Sequence, residues 1–345
     1  MANQRVRMSR LRLICIVLLV IGLLFRVINL DRKVYWHDEA YASLEITAHT
    51  RSEIVANSFT AKEVTVDELQ RYQRLDPNRG FKELVLAIGR EDPQHPPLYY
   101  ILGRIWQLIW GDNNQVIATR SLSVVLSFLV FPAVYWLCLE LFESSLTGWV
   151  AIALIAISPL HVLYAQEARE YGFWTALVAF SSAALLRAMR RSNWLNWGVY
   201  CGTLILSFYT ALFSGLVAFA NGVYVLINNR SYTLSVTGFR LDKRAIAYSI
   251  AVLVAVIAFI PWIYFLVTSA SALKASTEWI TVSLPLLTVL KSRFMNLTRI
   301  FADFDLSPFD QTHPYVYLSL APILILELYA LYFLCRTTPK RVWSF

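Results

Sequence analysis

Long apolar runs are the feature that most limits how this chain can fold. A helix needs about 20 mostly apolar residues to cross the hydrocarbon core of a bilayer. Only 16% of the residues are charged, whereas soluble domains carry about 25%. We therefore predict an all-α polytopic membrane protein with about eight transmembrane helices. The predicted spans are 13–30, 116–142, 148–164, 172–189, 195–212, 213–227, 245–268 and 315–335.

The placement of charge predicts the topology. The net charge of +8 arises from Lys and Arg beside the ends of the apolar runs, which is typical of membrane proteins and argues against a nucleic-acid partner. Segment 98–110 is short and contains Arg104, so we predict an interfacial helix rather than a span. Loops 187–194, 228–245 and 336–345 then all lie inside. The pattern fits a multi-pass protein of a bacterial inner membrane, with its site facing the periplasm.

A single transmembrane domain, 1–345, is expected, with a first periplasmic loop at 31–115 and a later one at 269–314. Within the first loop, the spacing of apolar residues at 81, 84, 85 and 88 predicts an amphipathic helix, and 67–75 is also compatible with a helix. The first apolar run lacks a small-residue cleavage site, so we expect an uncleaved helix. The four cysteines fall in or beside apolar runs and are interpreted as packing residues.

The first candidate motif is Trp36-His37-Asp38-Glu39-Ala40-Tyr41, which follows the first span directly. Two carboxylates beside a membrane exit are costly to desolvate, which favours a role with a cation or a substrate proton. Asp38 could act as a general base or as a metal ligand. The alternative is a solvated helix start, where acidic residues favour the N-terminus.

Two further polar motifs border the outer face. Glu91, Asp92 and His95 precede two prolines and could meet a metal or a phosphate-bound cation, although the stretch also reads as a rigid turn. In the second, Glu167 and Arg169 occupy a short turn between two spans. They could orient a phosphate, or form a salt bridge that closes a hairpin. In the later loop, Lys274 could bind a lipid phosphate or be an ordinary interfacial residue.

Taken together, the three motifs resemble those of the GT-C membrane glycosyltransferases. The closest likeness is to glycosyltransferase family 39, the bacterial relatives of dolichyl-phosphate-mannose protein mannosyltransferases. The matching residues lie in the same order, within about residues 20–190: His37-Asp38-Glu39-Ala40, His95-Pro96-Pro97-Leu98-Tyr99-Tyr100, and Ser158-Pro159 followed by Tyr164-Ala165-Gln166-Glu167-Ala168-Arg169-Glu170-Tyr171.

The resemblance implies transfer of a mannose-like hexose from a polyprenyl-phosphate carrier to a protein, lipid or glycan acceptor, with inversion at the sugar carbon. It implies that Asp38 is the general base, and we group Glu39 with it as a candidate catalytic residue. It also allows for a divalent metal at Asp38 and Glu167. The candidate donor-binding residues are His37, Tyr41, Glu91, Asp92, His95, Gln166, Glu167, Arg169, Tyr171 and Lys274.

Family members usually have more spans and longer chains, so we expect either that this chain is a fragment or that the carboxy-terminal, acceptor-binding part of the family's fold is missing or shortened here. A transporter or flippase for a lipid or polar solute is the main alternative, but it would place charges near the bilayer midplane and show repeated halves. The charged motifs here lie at the outer edge. A structural or assembly protein would leave the acidic motifs unexplained.

Overall fold

The computed structural model describes residues 2–111, 114–228, 243–303, 318 and 320–345. Within these ranges the chain is helical and has no β-strand, which confirms the predicted all-α class. The helices are α1 (Ala2–Val27), α2 (His37–Ile46), α3 (Arg51–Ser58), α4 (Val66–Gln70), α5 (Phe81–Glu91), α6 (Leu98–Trp110), α7 (Gln115–Ser127), α8 (Val130–Phe142), α9 (Ser145–Ile157), α10 (Pro159–Ala165), α11 (Tyr171–Arg190), α12 (Trp194–Phe208), α13 (Ser214–Ile227), α14 (Lys243–Thr268), α15 (Ala270–Thr277), α16 (Leu286–Thr298), α17 (Ala321–Thr337) and α18 (Lys340–Trp343).

Three helical stretches of the described chain are long and apolar enough to cross a membrane: Gln115–Phe142, Tyr171–Arg190 and Lys243–Thr268. The bent pair α9 and α10 would make a fourth. Several apolar helices therefore mark a helical, membrane-embedded protein. The count of eight spans stays a prediction, because helices such as α12 and α13 are shorter than a bilayer requires. Part of the last predicted span, 315–335, lies outside the described residues.

The predicted span 148–164 is not one straight helix. It consists of α9 and α10, which meet at Ser158 with a bend of 64°. The cause is Pro159, whose ring disfavours helical geometry in the preceding residue, and Ser158 accordingly has an extended ψ of 123°. Proline suits the first position of the next helix because it has no N–H to leave unpaired. The bend turns α10 away from the axis of α9.

The predicted first periplasmic loop folds into helices α2–α6. The predicted amphipathic helix is confirmed as α5, which buries Leu84 and Ile88. Helix α4 is shorter than the predicted 67–75 and gives way to a single 3₁₀ turn. The helix cannot run up to Pro77, and the backbone is already extended at Arg74. The later loop contains α15 and α16, while residues 304–317 lie outside the described ranges.

Helix α11 occupies the centre of the bundle and packs against α7, α8 and α12. Small residues fill much of its buried surface, including Ala176, Ala183, Ala184 and Ala188. Short side chains let neighbouring helices approach closely, which is how helices gain van der Waals contact in a membrane. The outer ends of α10 and α11 flank the turn 166–170, and the site is assembled around this turn.

The crossing of α1 and α9 depends on Gly22. A Cβ atom added at this position would lie 2.2 Å from the backbone carbonyl oxygen of Ala156, which cannot move independently of α9. We expect Gly22→Ala to lower the free energy of unfolding by about 1–3 kcal/mol, because overpacking forces the helices apart. The measurement is unfolding in mixed detergent micelles. Gly202→Ala is the matched control, since nothing lies within 4 Å of its Cβ position. Equal stability of the two variants would contradict the close packing.

Candidate active site

Asp38 and Glu39 occupy different environments although they are adjacent. Both lie in the first turn of α2, where each residue rotates the side-chain direction by about 100°. The Asp38 side chain is 32% exposed, whereas the Glu39 side chain is fully buried. One of these two adjacent carboxylates therefore lies at the surface and the other in the interior.

Glu39 is held in a bidentate ion pair with Arg120 of α7. Arg120 Nε and one terminal nitrogen each donate to a Glu39 oxygen at 2.7 Å. The backbone N–H of Ala168 donates to the same carboxylate at 2.9 Å. A carboxylate that already accepts these bonds in a dry site is poorly placed to take a proton from a substrate. The geometry therefore favours a positioning role for Glu39 over the predicted catalytic one.

Asp38 lies within electrostatic range of two tyrosines at the ends of neighbouring helices. Its carboxylate interacts electrostatically with Tyr164 of α10 and Tyr171 of α11. The two tyrosine rings are 4.9 Å apart in an edge-on arrangement. His37 Nδ1 lies 3.3 Å from Asp38 Oδ1, and the His37 ring packs against Tyr41. Three of the predicted site residues near Asp38, namely His37, Tyr41 and Tyr171, are therefore brought around it.

A mostly apolar cavity of about 180 Å³ lies next to these tyrosines. Tyr164 and Tyr171 belong to its wall, and both interact electrostatically with the Asp38 carboxylate. The wall is built from α1, α7, α8, α10 and α11, and Leu160 and Trp174 contribute apolar surface. An apolar cavity with a few polar groups at one end suits a ligand that is itself amphipathic.

The turn 166–170 is anchored by its own polar side chains. Gln166 Nε2 donates to the carbonyl oxygens of Phe25 and Ile28, at 2.6 and 3.0 Å, and so caps the end of α1. Glu167 pairs with Lys33. Burial raises the pKa of the Glu167 carboxyl, although Lys33 acts in the opposite direction. These contacts hold the turn against the exit of the first helix.

The predicted metal pair, Asp38 and Glu167, does not fit a metal ion in this arrangement. One oxygen of Glu167 is bound by Lys33, and its carboxyl is desolvated. In the part of the chain that the structure describes, no group of three or more His, Cys, Asp or Glu residues is arranged to hold a metal.

A second group of side chains lies behind Tyr171, and we name it the buried polar cluster: Glu45, Asp92, His95, Arg169 and Glu170. His95 Nδ1 is 3.5 Å from Glu170 Oε1, and His95 Nε2 is 3.8 Å from Asp92 Oδ2. Arg169 Nε is 3.4 Å from Glu170 Oε2, and the Arg169 guanidinium carbon lies 5.3 Å from the centroid of the Tyr171 ring. The structure thus joins the second and third sequence motifs.

Within the buried polar cluster, the pKa of the Glu170 carboxyl is lowered and that of the Glu45 carboxyl is raised. Burial opposes the ionisation of Glu170, but Arg169 and His95 outweigh it and lower the pKa of this carboxyl to about 2. Burial raises the pKa of Glu45 well above its ordinary value, and the neighbouring Asp92 raises it further. Glu170 is therefore ionised and Glu45 holds a proton over a wide range of pH.

The raised pKa of Glu45 predicts a dependence of stability on pH. The folded chain holds this proton more tightly than the unfolded chain, so the stabilisation is complete below the ordinary glutamate pKa and is lost as pH rises toward the raised value. We expect the free energy of unfolding to fall by about 1.4 kcal/mol per pH unit from this group alone. Glu45→Gln should flatten the slope, measured by unfolding in detergent micelles above pH 5 or so. The exposed Glu63→Gln serves as the control, and equal slopes in wild type and Glu45→Gln would contradict the assignment.

Two predicted donor-binding residues lie apart from Asp38. Glu91 accepts hydrogen bonds from the backbone N–H groups of Arg51 and Ser52, and so caps the start of α3. Lys274 is exposed on α15. Helix α15 is joined to the second motif through Ser276, whose hydroxyl donates to Gln94 Oε1 at 2.7 Å. Whether these residues bind a donor stays a prediction.

Sequence reasoning missed three residues that shape the site: Lys33, Glu45 and Arg120. Arg120 is fully buried within the predicted span 116–142. A charged residue inside an apolar run is a known sign of a functional or paired group, so this signal was present in the sequence. Glu45 and Lys33 had no such signal, because their partners are distant in the chain.

The chain has no match among protein-family models, and neither a curated protein nor a solved structure matches it significantly.

Proposed function

We propose that this chain is a membrane glycosyltransferase that moves a mannose-like hexose from a polyprenyl-phosphate carrier to an acceptor hydroxyl on the periplasmic face. The observation that carries the proposal is the position of Asp38. Its partly exposed carboxylate interacts electrostatically with the two tyrosines that border an apolar cavity, while the adjacent Glu39 is buried in an ion pair. The motif resemblance supplies the reaction class.

In the proposed reaction, Asp38 takes the proton of the acceptor hydroxyl as its oxygen attacks the anomeric carbon of the sugar. The new C–O bond forms as the bond between that carbon and the phosphate oxygen breaks. The bonding electron pair leaves with the lipid phosphate, and the sugar carbon is inverted. A base within hydrogen-bonding reach lowers the barrier because it removes the proton as the nucleophile forms.

One cationic group that interacts with the cavity wall, Arg299, supports the departure of a phosphate. Arg299, at the end of α16, interacts electrostatically with Tyr164 and is 3.5 Å from Asp303. The segment that follows is tied to the bend of α9 and α10, because Ser158 Oγ donates to the carbonyl oxygen of Ile300. Positive charge aimed at the leaving group stabilises the negative charge that develops there.

We propose that the apolar cavity is the binding site for the first isoprenoid units of the carrier. Leu160→Trp would fill part of it, and we expect a KM for the polyprenyl donor at least about tenfold higher, since a lost apolar contact of 1–3 kcal/mol has an effect of this size. Leu154→Trp is the matched control, because Leu154 is 46% exposed on the neighbouring α9. An unchanged KM in the Leu160 variant would remove the cavity from the donor site.

Membranes containing the whole gene product, supplied with radiolabelled polyprenyl-phosphate hexoses, test the proposal. We expect label to leave the lipid carrier and to appear on an acceptor or as product. Complete retention of label on every carrier, by a chain that is inserted and folded, would contradict the proposal. Movement of labelled lipid between leaflets without transfer would instead favour the flippase alternative.

A further inference from the structure

Arg120 of α7 brings α2 and the segment that leaves the first helix together around one guanidinium group. It forms the bidentate pair with Glu39 of α2, and its terminal nitrogens donate to the carbonyl oxygens of Leu30, Lys33 and Val34 in the segment that leaves the first helix. The ring of Tyr35 packs 5.3 Å from the guanidinium carbon. All five N–H groups of an arginine lie in one plane, so this side chain can hold several acceptors at fixed angles.

We infer that Arg120 is a positioning residue, which acts through Glu39 to fix the start of α2, and with it the Asp38 carboxylate, relative to the turn between Tyr164 and Tyr171. The inference rests on the proposed function and adds a residue that none of the three sequence motifs contains. Arg120 itself is fully buried, and its charge is balanced by Glu39. Its influence on Asp38 is therefore one of geometry.

The Arg120–Glu39 ion pair also holds the turn 166–170, and we call the ion pair and this turn together the clamp. The backbone N–H of Ala168 donates to Glu39 Oε1, so the same carboxylate that pairs with Arg120 also holds this turn. Tyr164 and Tyr171 flank the turn on either side, and both interact with Asp38. The ion pair thus fixes α2 relative to both tyrosines. A displacement of about 1 Å in a reacting group can lower a rate about 100-fold. Loss of the ion pair should therefore lower the rate of the proposed transfer.

A lysine at position 120 would keep the positive charge but lose the planar fork that matches a carboxylate. We expect Arg120→Lys to lower kcat for transfer from a radiolabelled polyprenyl-phosphate hexose about 100-fold, with little change in the KM for that donor. Glu39→Asp is the second variant, because it keeps the charge and moves the carboxylate back by one methylene group. Arg74→Lys is the control and should behave as wild type, because Arg74 is exposed in the segment 31–115 and pairs only with the surface residue Asp67 in the described part of the chain.

The decisive measurement places Arg120→Lys on the Asp38→Asn background. If Arg120 acts through Asp38, the double variant should be no slower than Asp38→Asn alone, because two residues that act as a unit are not additive. A purely structural role would lower the rate by the same factor on both backgrounds, and this result would overturn the inference while leaving the proposed function intact. Wild-type kcat in both Arg120→Lys and Glu39→Asp would also overturn it. A wild-type chain without transfer would overturn the proposed function and the inference with it.

Discussion

Asp38→Asn should lower the rate of sugar transfer by about 10²- to 10⁴-fold, the range that a general base contributes. Asparagine has nearly the same shape as aspartate but does not accept a proton at neutral pH. The side chain is partly exposed and accepts a hydrogen bond from His37, so its replacement should leave insertion and folding intact. The measurement is the initial rate of label transfer from polyprenyl-phosphate hexose, per inserted chain.

Asp67→Asn is the matched control for this substitution. Asp67 lies in the same outer loop, is 77% exposed and pairs with Arg74 at the surface. Its variant should transfer sugar at the wild-type rate. If Asp38→Asn also retained the wild-type rate, Asp38 would not be the base, and the assignment of the reaction to this end of the cavity would fall.

Arg169→Met is the substitution with the largest expected effect on stability. Arg169 and Glu170 are each at least nine-tenths buried, and Arg169 is the cation nearest to the Glu170 carboxylate. Removing one partner of a buried ion pair leaves the other charge without compensation, which typically costs about 3–5 kcal/mol. We expect a loss of this size at neutral pH, measured by unfolding in mixed detergent micelles.

The pH dependence of this loss distinguishes the ion pair from simple packing. The lowered pKa of Glu170 means that its stabilisation is present above the ordinary glutamate pKa and disappears as pH falls toward about 2. The difference between wild type and Arg169→Met should therefore shrink in acid. Arg74→Met, which breaks the exposed pair with Asp67, should cost within about 1 kcal/mol at any pH. A deficit in Arg169→Met that is independent of pH would contradict the electrostatic explanation.

The sequence predicted local structure well where the conformation of a short segment depends only on residues within that segment. The apolar spacing of 81–88 is a property of one helix, and α5 has the expected buried face. The prolines at 77 and 159 also act on their immediate neighbours. The break at Pro77 shortened α4 and the break at Pro159 bent a predicted span, since a proline changes the conformation of the residue before it.

The candidate site could be predicted only in part. The motifs identified the polar segments at the outer edge, because charge is rare beside apolar runs and stands out there. They did not distinguish the roles of Asp38 and Glu39, which are adjacent and chemically alike. That distinction arises from Arg120, which lies 81 residues further along the chain and reaches Glu39 only in the folded protein.

By itself, the sequence determined that this chain is an all-α membrane protein with polar chemistry at the ends of its helices. Hydrophobicity and helix periodicity are local properties, so they can be recognised without knowing which helices pack together. Only the tertiary structure decided which carboxylate is exposed, which arginine neutralises the other, and which tyrosines border the cavity near Asp38. Burial and ion pairing depend on contacts between distant segments, and these contacts set the cost of every charge in the site.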